Sequence, residues 1–260
     1  MKMELDFTKT PEQNATNYFE KSKLARKKIL GLKFAMQEIK KKNEQREKKK
    51  APEKKFERKK ERKWFEKFRW VFSSDGFLII EGRDAQSNEE VVKKRMDGKD
   101  IYFHADVFGA PHCIIKQEGK EVPETTMLEA AQFAVSFSKA WQEGRPQADV
   151  YSVSPDQVSK KAPSGESLGT GAFMIYGERN WFKKIGLSIG IGFNKEEKIL
   201  MSGPLSAVKK HCSPFVELKQ SGKRKSDLAK ELRAFFEGKK IVCSVDELIS
   251  LLPSGDSSLK

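Results

Sequence analysis

Cysteine and histidine are scarce, three of each in 260 residues. Cys113, Cys212 and Cys243 are odd in number and far apart, which argues against a disulfide framework and fits a reducing compartment. Three histidines, with no C-x-x-C and no H-E-x-x-H, offer little to a zinc site or a His-based nucleophile. No run of about 18 apolar residues occurs, so no segment reads as a membrane span. The opening MKMELDFTKT has no apolar signal core, so export by that route is not expected and the predicted compartment is the cytoplasm. The glycine-containing stretch 164–171 is not closed by Gly-Lys-Ser/Thr, which excludes a nucleotide P-loop. No cofactor is expected.

Positive charge, by contrast, is abundant. Fifty-one Lys and Arg against 37 Asp and Glu give a formal charge of +14 and a pI near 9.5, a balance suited to phosphate-rich partners. Residues 10–50 predict a long helix. Thr10 is placed to cap it, Pro11 suits its first position and Gln13 completes a capping-box spacing. Ala15, Tyr18, Ser22, Ala25, Ile29, Leu32, Met36 and Ile39 recur at alternating steps of three and four, a heptad seam built to meet another helix. Beyond Ile39 the seam fades. Residues 40–69 hold sixteen Lys/Arg and six Glu, so most of the net charge sits there. Pro52 predicts a turn near residues 50–53, and a second helix is expected from Glu53 to Phe68, closing a basic antiparallel hairpin. The Lys/Arg run reads either as a solvated helix face or as an RNA-docking surface. A surplus of about ten charges exceeds what pairing with neighbouring Glu would need and favours RNA.

The most informative stretch is 70–116. After the Asp75-Gly76 turn, Phe77 to Ile80 form a short apolar strand. A dense polar cluster, Glu81 to Glu89, leads into a helix through Val91 and Val92. Ile101, Phe103 and Ala105 then alternate with Tyr102, His104 and Asp106, so His104 and Asp106 are expected on one strand face. The ordered elements 64–70, Ser-Ser-Asp-Gly-Phe-Leu at 73–78, Gly-Arg-Asp-Ala-Gln-Ser-Asn at 82–88, Asp-Ile-Tyr-Phe-His-Ala-Asp at 100–106 and Gly109-Ala110 resemble the NFACT-R domain of the NEMF/RqcH family of ribosome-associated quality-control factors. So do Val158-Ser159-Lys160 through Gly165-Glu166, the Thr170-Gly171 element, and Arg179-Asn180-Trp181-Phe182. The start of the chain is similar to that family's middle coiled coil. The end resembles its archaeal members more loosely.

Downstream, an apolar helix is expected from about Thr125 to Trp141, buried on a sheet. A strand should hold Val150, Ser152 and Ser154. Another should hold Ile189, Ile191 and Phe193, whose Gly190 and Gly192 point to close backbone packing. The tail predicts a short helix near Ala207, a strand at 215–218, a basic amphipathic helix at 226–236 and a last helix at 245–252. The expected fold is α+β: a mixed-sheet, NFACT-R-like domain preceded by the basic helical hairpin. Its divisions are residues 1–69 for the arm, 70–195 for the RNA-binding domain and 196–260 for a small α/β extension.

The resemblance implies an RNA-binding factor that engages tRNA, rRNA and the large ribosomal subunit in rescue of stalled translation, by binding rather than catalysis. Arg83, Asp84, Gln86, Asn88, His104, Asp106, Lys116, Lys160, Arg179 and Asn180 are its candidate RNA-binding residues. Arg suits bidentate phosphate contact, and Gln and Asn can meet base edges or the 2′-hydroxyl. Family members also carry NFACT-N and helix-hairpin-helix segments that this sequence does not. The expectation is therefore the C-terminal half of a longer protein or a split-gene product, with an NFACT-N-containing chain as a candidate partner in trans. The family's Asp-Arg pair linked to tail elongation belongs to those segments, and Arg83-Asp84 does not inherit its role. Four other readings compete. The heptad seam suits a protein-interaction module. Asp84, Asp100 and Asp106 could form a metal-dependent nuclease set, or His104, Asp106, His112 and Cys113 a metal site. Asp84 has a plainer role as a helix cap. Fibronectin binding, attached to some bacterial relatives, fits poorly without a signal core.

Overall fold

A computed structural model describes residues 5–49, 63–162 and 168–260. The chain divides into two compact units, Met1–Arg58 and Lys59–Lys260.

In the first unit, helix α1 spans Pro11–Lys49. Its start forms as the spacing predicts: Gln13 N–H donates to Thr10 Oγ1 at 3.3 Å, and Thr10 N–H to Gln13 Oε1 at 3.0 Å, two otherwise orphaned donors satisfied reciprocally. Asn14, buried while most described side chains of the helix are exposed, ties the preceding turn down by donating to the carbonyls of Asp6, Lys9 and Thr10. The seam residues Ile29, Leu32, Met36 and Ile39 are all exposed. The predicted turn at 50–53 and the second helix as far as residue 62 lie outside the described residues. Trp64–Lys67 is a single 3₁₀ turn rather than the end of a long helix. Phe65 and Phe68 must both face the core of the second unit, and the tight turn lets them do so.

The second unit is built on two sheets. Strands β1 (Arg69–Phe72) and β2 (Leu78–Glu81) form a hairpin closed by Gly76, whose φ of +87° only glycine adopts without strain. Helix α2 (Ala85–Glu90) runs into a π turn (Val91–Arg95). β3 (Ile101–Ala105) and β4 (Cys113–Ile115) follow, then α3 (Glu124–Ser136) and α4 (Lys139–Gln142). The single helix expected to reach Trp141 is broken because the Ser138 side chain accepts from Ala140 N–H and begins a new one. β5 (Gln147–Val153), the small β6 (Val158–Ser159) and β7 (Met174–Ile175) ladder, and β8 (Asn180–Gly186) complete this part.

The main sheet has the order β1-β2-β4-β3-β5-β8. Every described ladder in it is antiparallel, which corrects the mixed sheet expected from the sequence. The crossover through α3 does return β5 parallel to β4, but β3 lies between them, so that pair never shares hydrogen bonds.

The second sheet runs β10 (Ile199–Gly203), β9 (Ile189–Asn194), β11 (Cys212–Lys223) and β12 (Ser257–Leu259). It carries α5 (Leu205–His211), α6 (Lys225–Gly238) and α7 (Val245–Leu251). A Cβ on Gly190 would lie 3.0 Å from Val208 Cβ, and one on Gly192 only 2.5 Å from Cys212 Cβ, so the glycine pair does serve close packing. Gly203 meets Val71 of β1 in the same way, and the Trp141 indole donates to Ser257 Oγ at 2.9 Å. Both sheets thus share one core.

Candidate nucleic-acid interface

The Gly-Arg-Asp-Ala-Gln-Ser-Asn element turns the end of β2 into α2, and each residue has a physical reason to be there. A Cβ on Gly82 would sit 2.0 Å from Asn88 Oδ1, so glycine alone admits the Asn88 side chain. Asn88 Oδ1 in turn accepts the His112 N–H at 3.1 Å, while Gly82 N–H donates to His112 O at 3.1 Å. Asp84 caps α2, its Oδ1 accepting from Ser87 N–H at 2.8 Å. That hydrogen bond, with the Ser87 hydroxyl, holds the Asp84 carboxyl below its usual range. Gln86 is exposed on the first turn of the helix.

His112 is the hinge of this corner. Its Nε2–H donates to Gly171 O at 2.7 Å, and its Nδ1 is hydrogen-bonded to the buried Tyr102 hydroxyl. A carbonyl at Nε2 requires a proton there, so in the neutral ring Nδ1 accepts from Tyr102. Burial lowers the His112 pKa, in keeping with that neutral form. His104, beside it on β3, is pushed down to about 4, chiefly by burial and next by His112.

The loop carrying Gly171 closes over α2. Gly171 comes within reach of the Ala85 backbone, where a Cβ would lie 2.6 Å from Ala85 O. Glu89 accepts from Gly171 N–H and from Lys160 Nζ, both at 2.7 Å, and pairs with Lys93 at 2.5 Å. These bonds, Lys160 first, draw the Glu89 pKa down to about 2.

Between this loop, the β3–β4 connection and α4 lies a cleft of about 530 Å³. Arg69, Arg83 and Lys139 line it, with Asn88, His104, His112, Phe108 and Phe173. Beside it Glu81 is fully buried, with no hydrogen-bond partner for either oxygen among the described residues and Arg69 Nη1 at 3.7 Å. Burial raises its pKa well above the usual range, outweighing Arg69 and Arg83. Two guanidinium groups, with Lys139 across the cleft, face this single buried carboxyl, so positive charge is in excess and the cleft favours an anion.

The ten sequence-named residues do not converge. Arg83, Asp84, Asn88 and His104 line the cleft. Arg83 also donates to Phe68 O at 2.9 Å and Ser250 O at 3.3 Å. Lys160 uses three donors on Glu89, Gly169 O and Ala172 O, which makes it a latch on the loop. Lys116 is buried and likewise occupied, bonded to Asp100 and Asp97 at 2.5 Å and to Arg95 O at 2.7 Å. Asp106 follows β3 in an exposed bend. Asn180 pairs across from Ser152, and so sits on the sheet face opposite His104, which pairs with Tyr151. Arg179 is exposed and lies over the Tyr151 ring. The nuclease carboxylates are separate as well: Asp84 caps a helix, Asp100 holds Lys116, and no group of three metal-ligating side chains occurs among the described residues. Sequence reasoning missed Arg69 and Lys139. Each reaches the cleft only through the fold; Arg69 lies in the 64–70 element without being marked there as a contact, and Lys139 carries no local signal.

Residues 67–177 match the family model described as NFACT protein RNA binding domain. The chain is 43% identical over 198 residues to the archaeal Rqc2 homolog aRqcH of Methanocaldococcus jannaschii, covering 75% of this chain and 29% of that protein. It is 49% identical over 129 residues to the ribosome quality control complex subunit NEMF homolog of Drosophila melanogaster, covering 49% and 13%. It is 38% identical over 185 residues to subunit NEMF of Homo sapiens, covering 69% and 17%. The chain therefore spans under a third of the length of each of these relatives. The solved C-terminal part of a fibronectin/fibrinogen-binding protein from Streptococcus suis is similar at 20% identity over 68% of this chain and 77% of that one, with a TM-score of 0.39. That likeness is too loose to argue from.

Proposed function

Since this chain belongs to the NEMF/RqcH family through its NFACT-R domain, we propose that it binds RNA as a ribosome-associated factor in quality control of stalled translation. The observation that carries the reading is the cationic cleft, built within the matched segment from Arg69, Arg83 and Lys139 beside the buried Glu81. Phosphate is the anion such a cleft suits, and Asn88 and His104 line it and can add polar contacts. The finer reading is that the RNA is tRNA and the docking surface is the large ribosomal subunit, with the basic run of residues 40–69 adding salt-sensitive phosphate contacts. No described helix is long and apolar enough to cross a membrane.

The test is binding of the chain to tRNA and to isolated large subunits across a salt series. Each phosphate contact contributes a slope of roughly −0.7 to −0.9 in log K against log salt. Lys139→Ala, at an exposed position, should weaken binding and reduce the slope by about one such contact. Binding that ignores salt, or no binding to either RNA, would remove this reading.

The exposed seam of α1 supports a second reading, in which Ile29, Leu32, Met36 and Ile39 meet a helix of an NFACT-N-containing chain. Ile29→Asp with Leu32→Asp should then abolish that pairing and leave RNA affinity intact.

A further inference from the structure

One feature of the main sheet is not explained by packing or by the cleft alone. Five rings run in sequence from the cleft to the sheet edge. Phe173 and His112 have centroids 5.3 Å apart, His112 and His104 5.2 Å, His104 and Tyr151 5.8 Å, and Tyr151 and Trp181 5.3 Å. The last three are cross-strand partners on β3, β5 and β8, so they share one face at the strand spacing of about 4.8 Å. Cations lie over three of the five rings: Lys160 4.8 Å from Phe173, Arg179 4.6 Å from Tyr151, and Lys183 4.0 Å from Trp181.

The interior of this row is core, since Tyr151 and His112 are buried. Its end is not. Trp181 is 37% exposed on β8, an edge strand with most of its side chains in solvent. Lys160 and Lys183 are each paired with a carboxylate, Glu89 and Asp149. Among the described residues Arg179 makes ring contacts and no carboxylate pair. A packing role would bury the indole and would not leave an unneutralised guanidinium beside it. Aromatic faces flanked by cations are what unpaired nucleotides use: every base has a π-face to stack, and the phosphates follow the charges.

We propose that the exposed end of this row begins a track for single-stranded RNA, with one base stacked on Trp181 and the adjoining phosphate held by Arg179. The track rests on the RNA-binding reading above and adds to it the form of RNA, unpaired, and the residues that take it.

The experiment measures affinity of the whole chain for a short oligoadenylate, an abasic ribose-phosphate oligomer of equal length, and tRNA. Trp181→Ala should weaken oligoadenylate binding by roughly 5- to 150-fold, the range for loss of one stacked base, and leave the abasic oligomer within about twofold. Trp181→Phe should restore most of the loss, which separates stacking from misfolding, and Arg179→Gln should weaken both oligomers. If Trp181→Ala binds oligoadenylate like the wild type while tRNA binding persists, the track is wrong and the RNA-binding reading stands. An equal loss on the abasic oligomer would mean that Trp181 only positions the cations, which also overturns stacking. No binding of any RNA by the wild type would end both.

Discussion

Replacing Lys116 with Met separates a structural charge from a binding one. Lys116 was one of the residues expected to touch RNA, yet its side chain is only 9% exposed and its ammonium bonds Asp100, Asp97 and Arg95 O. Asp100 is the vulnerable partner, because its side chain is 2% exposed, whereas Asp97 at 80% is solvated and screened. Removing one member of a buried pair leaves the other charge uncompensated and costs about 3–5 kcal/mol. For a unit of this size that lowers Tm by roughly 6–20 °C, at 2–4 °C per kcal/mol. Asp100 also accepts from Asp97 N–H and Gln117 N–H, so Asp100→Asn added to Lys116→Met removes the stranded charge and keeps an acceptor. The double variant should recover part of the loss. The Lys116 pKa is raised because its carboxylate partners outweigh burial. Its contribution is therefore complete below its unfolded value of about 10.5 and disappears only as pH rises through the folded value. The Lys116→Met penalty should thus be present in full at neutral pH. Urea unfolding and thermal melts measure the stability, and tRNA binding well below the melting temperature measures the function. A loss under about 1 kcal/mol, far short of the cost of an orphaned buried charge, would refute the reasoning. So would a tenfold drop in RNA affinity in the fully folded variant.

Two further outcomes follow from the geometry. Gly192→Ala forces a Cβ to within 2.5 Å of Cys212 Cβ and 2.8 Å of Phe215 Cβ, so thermal melts should show a loss of about 1–3 kcal/mol from overpacking; an unchanged Tm would contradict the packing described for β9. His104 is held to about 4 when folded against an ordinary 6.5, so it favours the folded state fully above pH 6.5 and ceases to as pH falls from 6.5 toward 4. Urea midpoints should decline over that window in the wild type and less steeply in His104→Asn; matching slopes would remove His104 as the cause.

The candidate site was only partly legible in the sequence. The Gly82–Asn88 element announced a polar corner, and its members do build one. Asp84 took the capping role that its position before a helix allowed. The period of two through Arg179, Trp181 and Lys183 was available as a signal for the ring row, but the partner rings Tyr151 and His104 are up to 77 residues from Trp181. Lys116 and Lys160 misled because a lysine in sequence looks the same whether its ammonium is free or fully bonded. Only the acceptors distinguish the two, and Asp100 and Glu89 reach them through the fold.

What the sequence determined by itself was local. The Thr10–Gln13 capping box, the Asp75-Gly76 hairpin, the alternation along β3 and the glycine pair of β9 depend on residues within a few positions of one another, so a linear reading captures them. Tertiary structure decided the strand order that keeps β4 and β5 apart, and it decided which charges are spent and which remain. Burial raises the Glu81 pKa, Lys116 and Lys160 become internal bonds, and Arg179 stays open because burial and pairing depend on neighbours that only folding supplies.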